Sequence, residues 1–255
     1  MLLAIDIGNT NITLGLYDGN SLGATWRIST DADKQADEYT VLFNGLLQTR
    51  GMRDSTITQV VICSVVPPLT GVFEEFCLNR FGLKPLVVGM GVKTGMRILY
   101  DNPRDVGADR VADAVAAYHR YGGPVIVVDC GTALVFDAVS QDGEYLGGAI
   151  APGLGVAAEA LVSKASKLTR VELTAPEGAI GRTPSASMQS GLIYGYVGLI
   201  EGLVARFKRE LGPGVKVVAT GGMAGVLAGE TDVLDEVDPD LTLEGLKLIH
   251  EMNPR

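Results

Sequence analysis

Two corners of the same kind, 123 residues apart, constrain this chain more than any other feature. In the first, the apolar run Leu2-Leu3-Ala4-Ile5 enters the turn Asp6-Ile7-Gly8-Asn9-Thr10-Asn11, and residues 12–17 resume as a second apolar segment. In the other, Val125-Ile126-Val127-Val128 enters Asp129-Cys130-Gly131-Thr132, and residues 133–137 resume in the same way. Gly8 and Gly131 share the offset of Asp6 and Asp129, and a further turn follows each copy, at Asp18-Gly19 and at Asp142-Gly143. Asp, Gly, Asn and Thr favour turns for backbone reasons, so a single such hairpin carries little weight. A repeat of this period means two similar domains rather than a solenoid. The expected division is 1–121 and 122–255, with Gly122-Gly123-Pro124 at the boundary.

A chain of 255 residues is long enough for two such domains, each with a core of its own. With 47% apolar and 20% charged residues, it belongs with folded globular proteins and not with disordered ones. The longest apolar runs, such as residues 60–66, fall far short of the roughly 20 residues that cross a bilayer, so no membrane association is expected. The start is already strand-like and lacks the basic segment and cleavage site of a signal peptide, which points to the cytoplasm. A net charge of −9 argues against a nucleic-acid partner, since binding a phosphate backbone needs clustered Lys and Arg. Small anions are another matter, because backbone N–H groups and metal ions hold them. Cys63, Cys77 and Cys130 have no C-x-x-C spacing and read as buried reduced thiols, and with only His119 and His250 a zinc centre is improbable.

After the first corner, residues 21–28 continue a sheet, 36–50 show helical spacing, and 59–66 form a strand that Pro67-Pro68 must end. A helix over 69–80 and a short strand over 84–88 follow, while 90–99 fit no element clearly. The order βββαβαβ suits an α/β fold of two duplicated ribonuclease-H-like domains, each a mixed five-stranded sheet with flanking helices. In the second half, the glycine-rich stretch 146–155 suggests backbone packed close to a ligand or another strand. Helices are expected over 156–166 and 185–211, the latter with a stripe of Ser187, Gly191, Gly195 and Gly198 that lets another helix come near. A strand then opens on Gly221-Gly222, an acidic segment over 230–240 reads as solvated surface, and Leu243, Leu246, Ile249 and Met252 mark a closing amphipathic helix.

The chemistry concentrates at the corners and at one unrepeated stretch. Corners facing each other across a cleft could grip one extended polyanion, their N–H and hydroxyl groups meeting phosphoryl oxygens and their carboxylates meeting cations. The G-x-x-x-x-G-K-[ST] loop and the protein-kinase signatures are absent, so a nucleotide needs another scheme. The unrepeated stretch, residues 100–110, runs into a helix whose first turn holds Asp109 and Arg110. There Asp109 could serve the helix dipole alone and Arg110 could pair with Asp113.

Taken together these motifs resemble the type III pantothenate kinases, a family of the sugar-kinase and actin-like ATPase group, and the resemblance runs nearly end to end. Residues 6–13 resemble the family's first phosphate motif, Asp129-Cys130-Gly131-Thr132 its second, and Thr220-Gly221-Gly222 the place where adenosine is met. Asn102-Pro103-x-x-Val106-Gly107-Ala108-Asp109-Arg110 is the most specific match, supported by residues 146–153 and 187–191. The resemblance implies transfer of the ATP γ-phosphoryl group to pantothenate, the first step towards coenzyme A, with Asp109 as the base. It implies ATP contacts at Asp6, Gly8, Asn9, Thr10, Asn11, Thr13, Thr132, Gly221 and Gly222, with Asp6 near Mg²⁺ and Asp129 at a K⁺ or NH₄⁺ ion. Pantothenate would meet Tyr100, Gly107, Ala108, Asp109, Arg110, Thr183 and Pro184, and the family's homodimers would give the small-residue stripe a use. The chain departs from the family twice. Arg182-Thr183-Pro184 stands for basic-Asn-Thr, so either Thr183 supplies the hydroxyl from one place earlier or the contact is backbone only, and Leu134 and Val135 stand where hydroxyls are common. Another small-molecule kinase of the group, or an accessory factor for a transcriptional regulator, is the alternative.

Overall fold

Leu3, Ala4, Ile5 and Ile7 are wholly buried because the strand they form, β1 (Leu2–Ile7), lies in mid-sheet with both faces covered. The computed structural model describes residues 1–52 and 56–254. The first sheet has the order β3-β2-β1-β4-β5, with β2 (Asn11–Asp18) and β3 (Ser21–Ser29) antiparallel to their neighbours, and β4 (Gln59–Ser64) and β5 (Leu86–Val87) parallel. Side chains alternate across a strand. Leu3, Ile5, Ile7, Leu14 and Ile62 therefore meet Tyr39 and Phe43 of α1 (Ala36–Thr49) and Phe73 and Phe76 of α2 (Pro67–Phe81) in one core. Pro67 and Pro68 not only stop β4 but open α2, where missing N–H groups cost nothing.

The opposite face of this sheet carries α3 (Ala108–Tyr121) and α7 (Leu241–Glu251), two helices from distant parts of the chain. A β-carbon on Gly15 of β2 would lie 2.8 Å from a methyl of Leu243, and one on Gly245 would overlap the carbonyl oxygen of Ala112. The helices thus meet backbone to backbone, which the small residues Ala112, Ala116 and Gly245 permit. The first compact unit accordingly comprises Met1–Gly95, Arg104–Ala116 and Thr242–Arg255, and the second Met96–Pro103 and Ala117–Leu241.

The second unit repeats the plan. Its sheet runs β11-β10-β7-β8-β9-β6, built from β6 (Arg97–Ile98), β7 (Val125–Cys130), β8 (Ala133–Val139), β9 (Glu144–Pro152), β10 (Lys216–Thr220) and β11 (Glu236–Val237). Five of these strands, β9-β8-β7-β10-β11, match β3-β2-β1-β4-β5 in order and direction. The sixth comes from the unassigned stretch 90–99, where Arg97 and Ile98 pair beside Glu144 and Tyr145. Helices α4 (Leu154–Lys164), α5 (Pro184–Leu211) and α6 (Ala224–Ala228) cover this sheet, with Ile193, Ile200 and Val204 of α5 in its core.

The acidic segment 230–240 is largely the solvated surface that its charge suggests, with Glu230, Asp232, Asp235 and Glu236 exposed, but it also carries structural carboxylates. Asp235 accepts a hydrogen bond from the Val217 N–H at 2.7 Å, and Asp238, only 7% exposed, pairs with Arg120 at 2.6 Å. Charge counted along the chain misses a carboxylate that is buried opposite a partner 118 residues away. The three cysteines are buried and free, as expected.

Candidate active site

In the first corner the strand registers set Thr13 opposite Asp6 and Asp6 opposite Cys63, so these three form one row across β2, β1 and β4. Their neighbours Ile12, Ile7 and Ile62 point the other way, into the core beneath α1 and α2. The row therefore lies on the face that α3 covers. The turn beyond it leaves the side chains of Asn9, Thr10 and Asn11 exposed, while the Gly8 N–H is spent on the Asn11 carbonyl at 3.0 Å. This corner stands at the carboxyl end of the parallel pair β1 and β4, where open α/β sheets bind ligands.

Gly107, Ala108, Asp109 and Arg110 belong to the same unit. Asp109 sits in the first turn of α3, where its Oδ1 accepts the Arg110 N–H at 2.8 Å and leans back over Gly107. A β-carbon on Gly107 would overlap that oxygen, so glycine is required for the carboxylate to take this position. Burial holds the Asp109 carboxyl above the ordinary aspartate range, although the Arg110 N–H and guanidinium both oppose the shift. The buried Cys63 thiol is bonded to Asp6 and also feels Asp109 and Asp113, and burial first, then these charges, push it well above its usual value. The charges of Asp6, Asp109 and Asp113 thus all bear on one thiol. Among the described residues no group of three or more His, Cys, Asp or Glu could hold a metal ion. Mg²⁺ carried on nucleotide phosphates asks for only one or two carboxylates, so Asp6 fits that need.

In the second corner the corresponding row is Val135, Asp129 and Thr220. The hydroxyl that Thr13 carries on one side of Asp6 is replaced here by Val135, and Thr220 brings a hydroxyl on the other side of Asp129. Glycines press on this corner from three directions. Gly221, at φ +89°, would overlap Asp129 Oδ1 if it bore a β-carbon, one on Gly131 would lie 3.3 Å from both carboxylate oxygens, and one on Gly153 would overlap the carbonyls of Gly131 and Thr132. Gly222 and Thr132 are exposed beside them.

The other expected residues of the second unit lie on separate supports. Tyr100 packs on Gly147, which sits at φ +127°, and its ring lies 6.4 Å from that of Tyr145. Close backbone packing is thus the use of the glycine-rich stretch at Gly147 and Gly153. Thr183 caps α5, its hydroxyl oxygen accepting the Ala186 N–H at 3.1 Å, with Pro184 in the first turn. That bond leaves the hydroxyl proton available for a ligand, which keeps Thr183 a candidate.

Cys63 and Thr30 have places at the first corner that the sequence did not reveal. The parallel register of β1 and β4 depends on the crossover through α1, so nothing local marks Cys63 as a neighbour of Asp6. Thr30 could have been found by counting back from the Asp18-Gly19 turn, except that a bulge at Leu16/Tyr17 shifts the count by one.

The type III pantothenate kinase family model matches residues 2–206. A type III pantothenate kinase from Anaeromyxobacter sp. strain Fw109-5 is 55% identical over 253 residues, which are 99% of this chain and 100% of that protein. Among solved structures, one from Campylobacter jejuni described as a Baf family transcriptional activator has a TM-score of 0.61 at 22% identity, covering 99% of this chain and 98% of its own. Another, from Sinorhizobium meliloti and described as a 2-dehydro-3-deoxygalactonokinase, has a TM-score of 0.56 at 14% identity with both chains fully covered. At such identities the structures speak for the fold alone, that of the sugar kinases. The sequence match decides the family, and this chain belongs to the type III pantothenate kinases.

Proposed function

We propose that the chain phosphorylates pantothenate with ATP, giving 4'-phosphopantothenate and ADP, with Asp109 as the base. The observation that carries this is the family match together with a half-buried Asp109 whose carboxyl is raised by burial at the mouth of α3. The expected ATP contacts are Asp6, Gly8, Asn9, Thr10, Asn11 and Thr13 in the first unit, and Thr132, Gly221 and Gly222 in the second. The primary hydroxyl of pantothenate attacks the γ-phosphorus, the bond from that phosphorus to the bridging oxygen breaks, and Asp109 takes the hydroxyl proton late in a loose transition state. Arg110 receives the pantothenate carboxylate, and Tyr100, Gly107, Ala108, Thr183 and Pro184 complete the contacts. When bound near Asp6, Mg²⁺ supplies positive charge against the charge that develops on the phosphates.

Asp129 holds a monovalent cation, K⁺ or NH₄⁺. Support comes from a carboxylate approached by two glycines with no side chain to fill the space, Gly131 and Gly221. Replacing Asp129 by alanine is expected to abolish stimulation by K⁺, measured as initial rate against K⁺ concentration at fixed ionic strength. Equal stimulation of both proteins would remove Asp129 from the assignment.

The chain works as a homodimer in the cytoplasm. The exposed stripe on α5 favours the dimer, since β-carbons added at Gly191, Gly195 and Gly198 would meet nothing within 4 Å. No helix among the described residues is long and apolar enough to cross a membrane. The halves 1–121 and 122–255 descend from one duplicated domain, a division by ancestry that the matching strand orders favour. The acceptor is tested by incubating the purified chain with ATP, Mg²⁺ and K⁺ against pantothenate, sugars and carboxylic acids. Phosphorylation of another acceptor in preference to pantothenate would reject the proposal.

A further inference from the structure

We infer that Thr30 is a positioning residue for ATP, orienting the backbone donors of the first corner without itself touching the nucleotide. The inference rests on the proposed binding of ATP phosphates at that corner. Thr30 follows the last residue of β3 and reaches the turn twice: its Oγ1 donates to the Gly8 carbonyl at 2.6 Å, and its N–H donates to the Thr10 carbonyl at 3.0 Å. In a trans peptide the carbonyl and the N–H that follows it point in opposite directions. Holding the Gly8 carbonyl towards Thr30 therefore turns the Asn9 N–H away from it, and holding the Thr10 carbonyl does the same for the Asn11 N–H. Asn9, Thr10 and Asn11 are the exposed residues of this turn, so an anion can reach it. Asn11 pairs with Ser29, which places the threonine just beyond the last rung of the hairpin, at the level of the turn.

The two bonds separate cleanly by mutation. Thr30→Val keeps the shape and the backbone N–H but loses the hydroxyl donor, whereas Thr30→Ser keeps both. Loss of one hydrogen bond that fixes the donors should raise the KM for ATP about three- to tenfold in Thr30→Val, with the KM for pantothenate unmoved, and Thr30→Ser should restore the wild-type value. Thr30→Ala serves as a second variant without the hydroxyl, and it should follow Thr30→Val. An unchanged KM for ATP in the valine and alanine variants, or an equal rise for both substrates, would overturn the inference, as would a serine variant as impaired as the valine one. Failure of the wild-type chain to phosphorylate pantothenate would instead remove the underlying proposal, and the inference with it, before any variant is compared.

Discussion

Asp109→Asn should lower kcat by about 10²- to 10⁴-fold, the usual worth of a positioned base. Asparagine keeps the shape and can still accept the Arg110 N–H that Asp109 accepts at 2.8 Å, so the helix start should survive while the proton acceptor is lost. Burial raises the Asp109 carboxyl, and this has two consequences of opposite kind. A base must be ionised to work, so the acid limb of kcat/KM should fall above the ordinary aspartate range and disappear in the variant. For stability the sign reverses. The fold favours the protonated carboxyl, so that contribution is present below the unfolded-state value and is lost as pH rises through the raised folded-state value. At neutral pH Asp109→Asn should then unfold at the same temperature as wild type or a higher one. Turnover unchanged within twofold would dismiss Asp109 from the chemistry, and a sharp fall in thermal midpoint at pH 7 would show that the charge stabilises the fold.

Ending the chain at Asp240 should prevent folding, although the family match stops at residue 206. Helix α7 buries Leu241, Leu243, Leu246, Leu248 and Ile249. At about 1.5–3 kcal/mol for each buried side chain, the loss is comparable with the roughly 5–15 kcal/mol that keeps a protein folded. The truncation would also strip α3 of the helix packed against it at Ala112, so the helix bearing Asp109 and Arg110 would lose a neighbour. A graded form of the same test is Gly245→Ala, whose new methyl would overlap the Ala112 carbonyl and push the two helices apart. Overpacking of this sort costs about 1–3 kcal/mol, or roughly 2–10 °C in thermal midpoint for a chain of this length. A soluble truncated chain with a cooperative transition, or a Gly245→Ala variant as stable as wild type, would show that α7 is dispensable.

Much of this fold was legible because the repeat pairs strand with strand. Once Asp6 and Asp129 are aligned, β1 to β3 and β7 to β9 follow from alternation and turns, which are local properties. What escaped was set by distant contacts. The six-stranded second sheet gains β6 from a stretch with no periodicity, since two residues cannot display one. Within the mostly exposed acidic segment, Asp238 is buried against an exposed Arg120 far back in the chain, and the return of α7 to the first unit left no mark beyond an amphipathic pattern that would suit any surface. At the site, Asp109 and Asp129 were reached through the resemblance of their motifs to the family, since an aspartate in a helix's first turn or at a strand corner also has an ordinary backbone role. The thiol of Cys63 beside Asp6 had no such signal, since an apolar strand with a cysteine is ordinary core.

The central claim is that this chain moves a phosphoryl group from ATP to an alcohol which Asp109 prepares. The direct measurement is product analysis of purified chain with ATP, Mg²⁺, K⁺ and pantothenate, counting 4'-phosphopantothenate against ADP. One ADP should appear for each phosphopantothenate in the wild type, with both falling together in Asp109→Asn. ADP formed without phosphorylated acceptor, or phosphopantothenate formed undiminished by the variant, would contradict it.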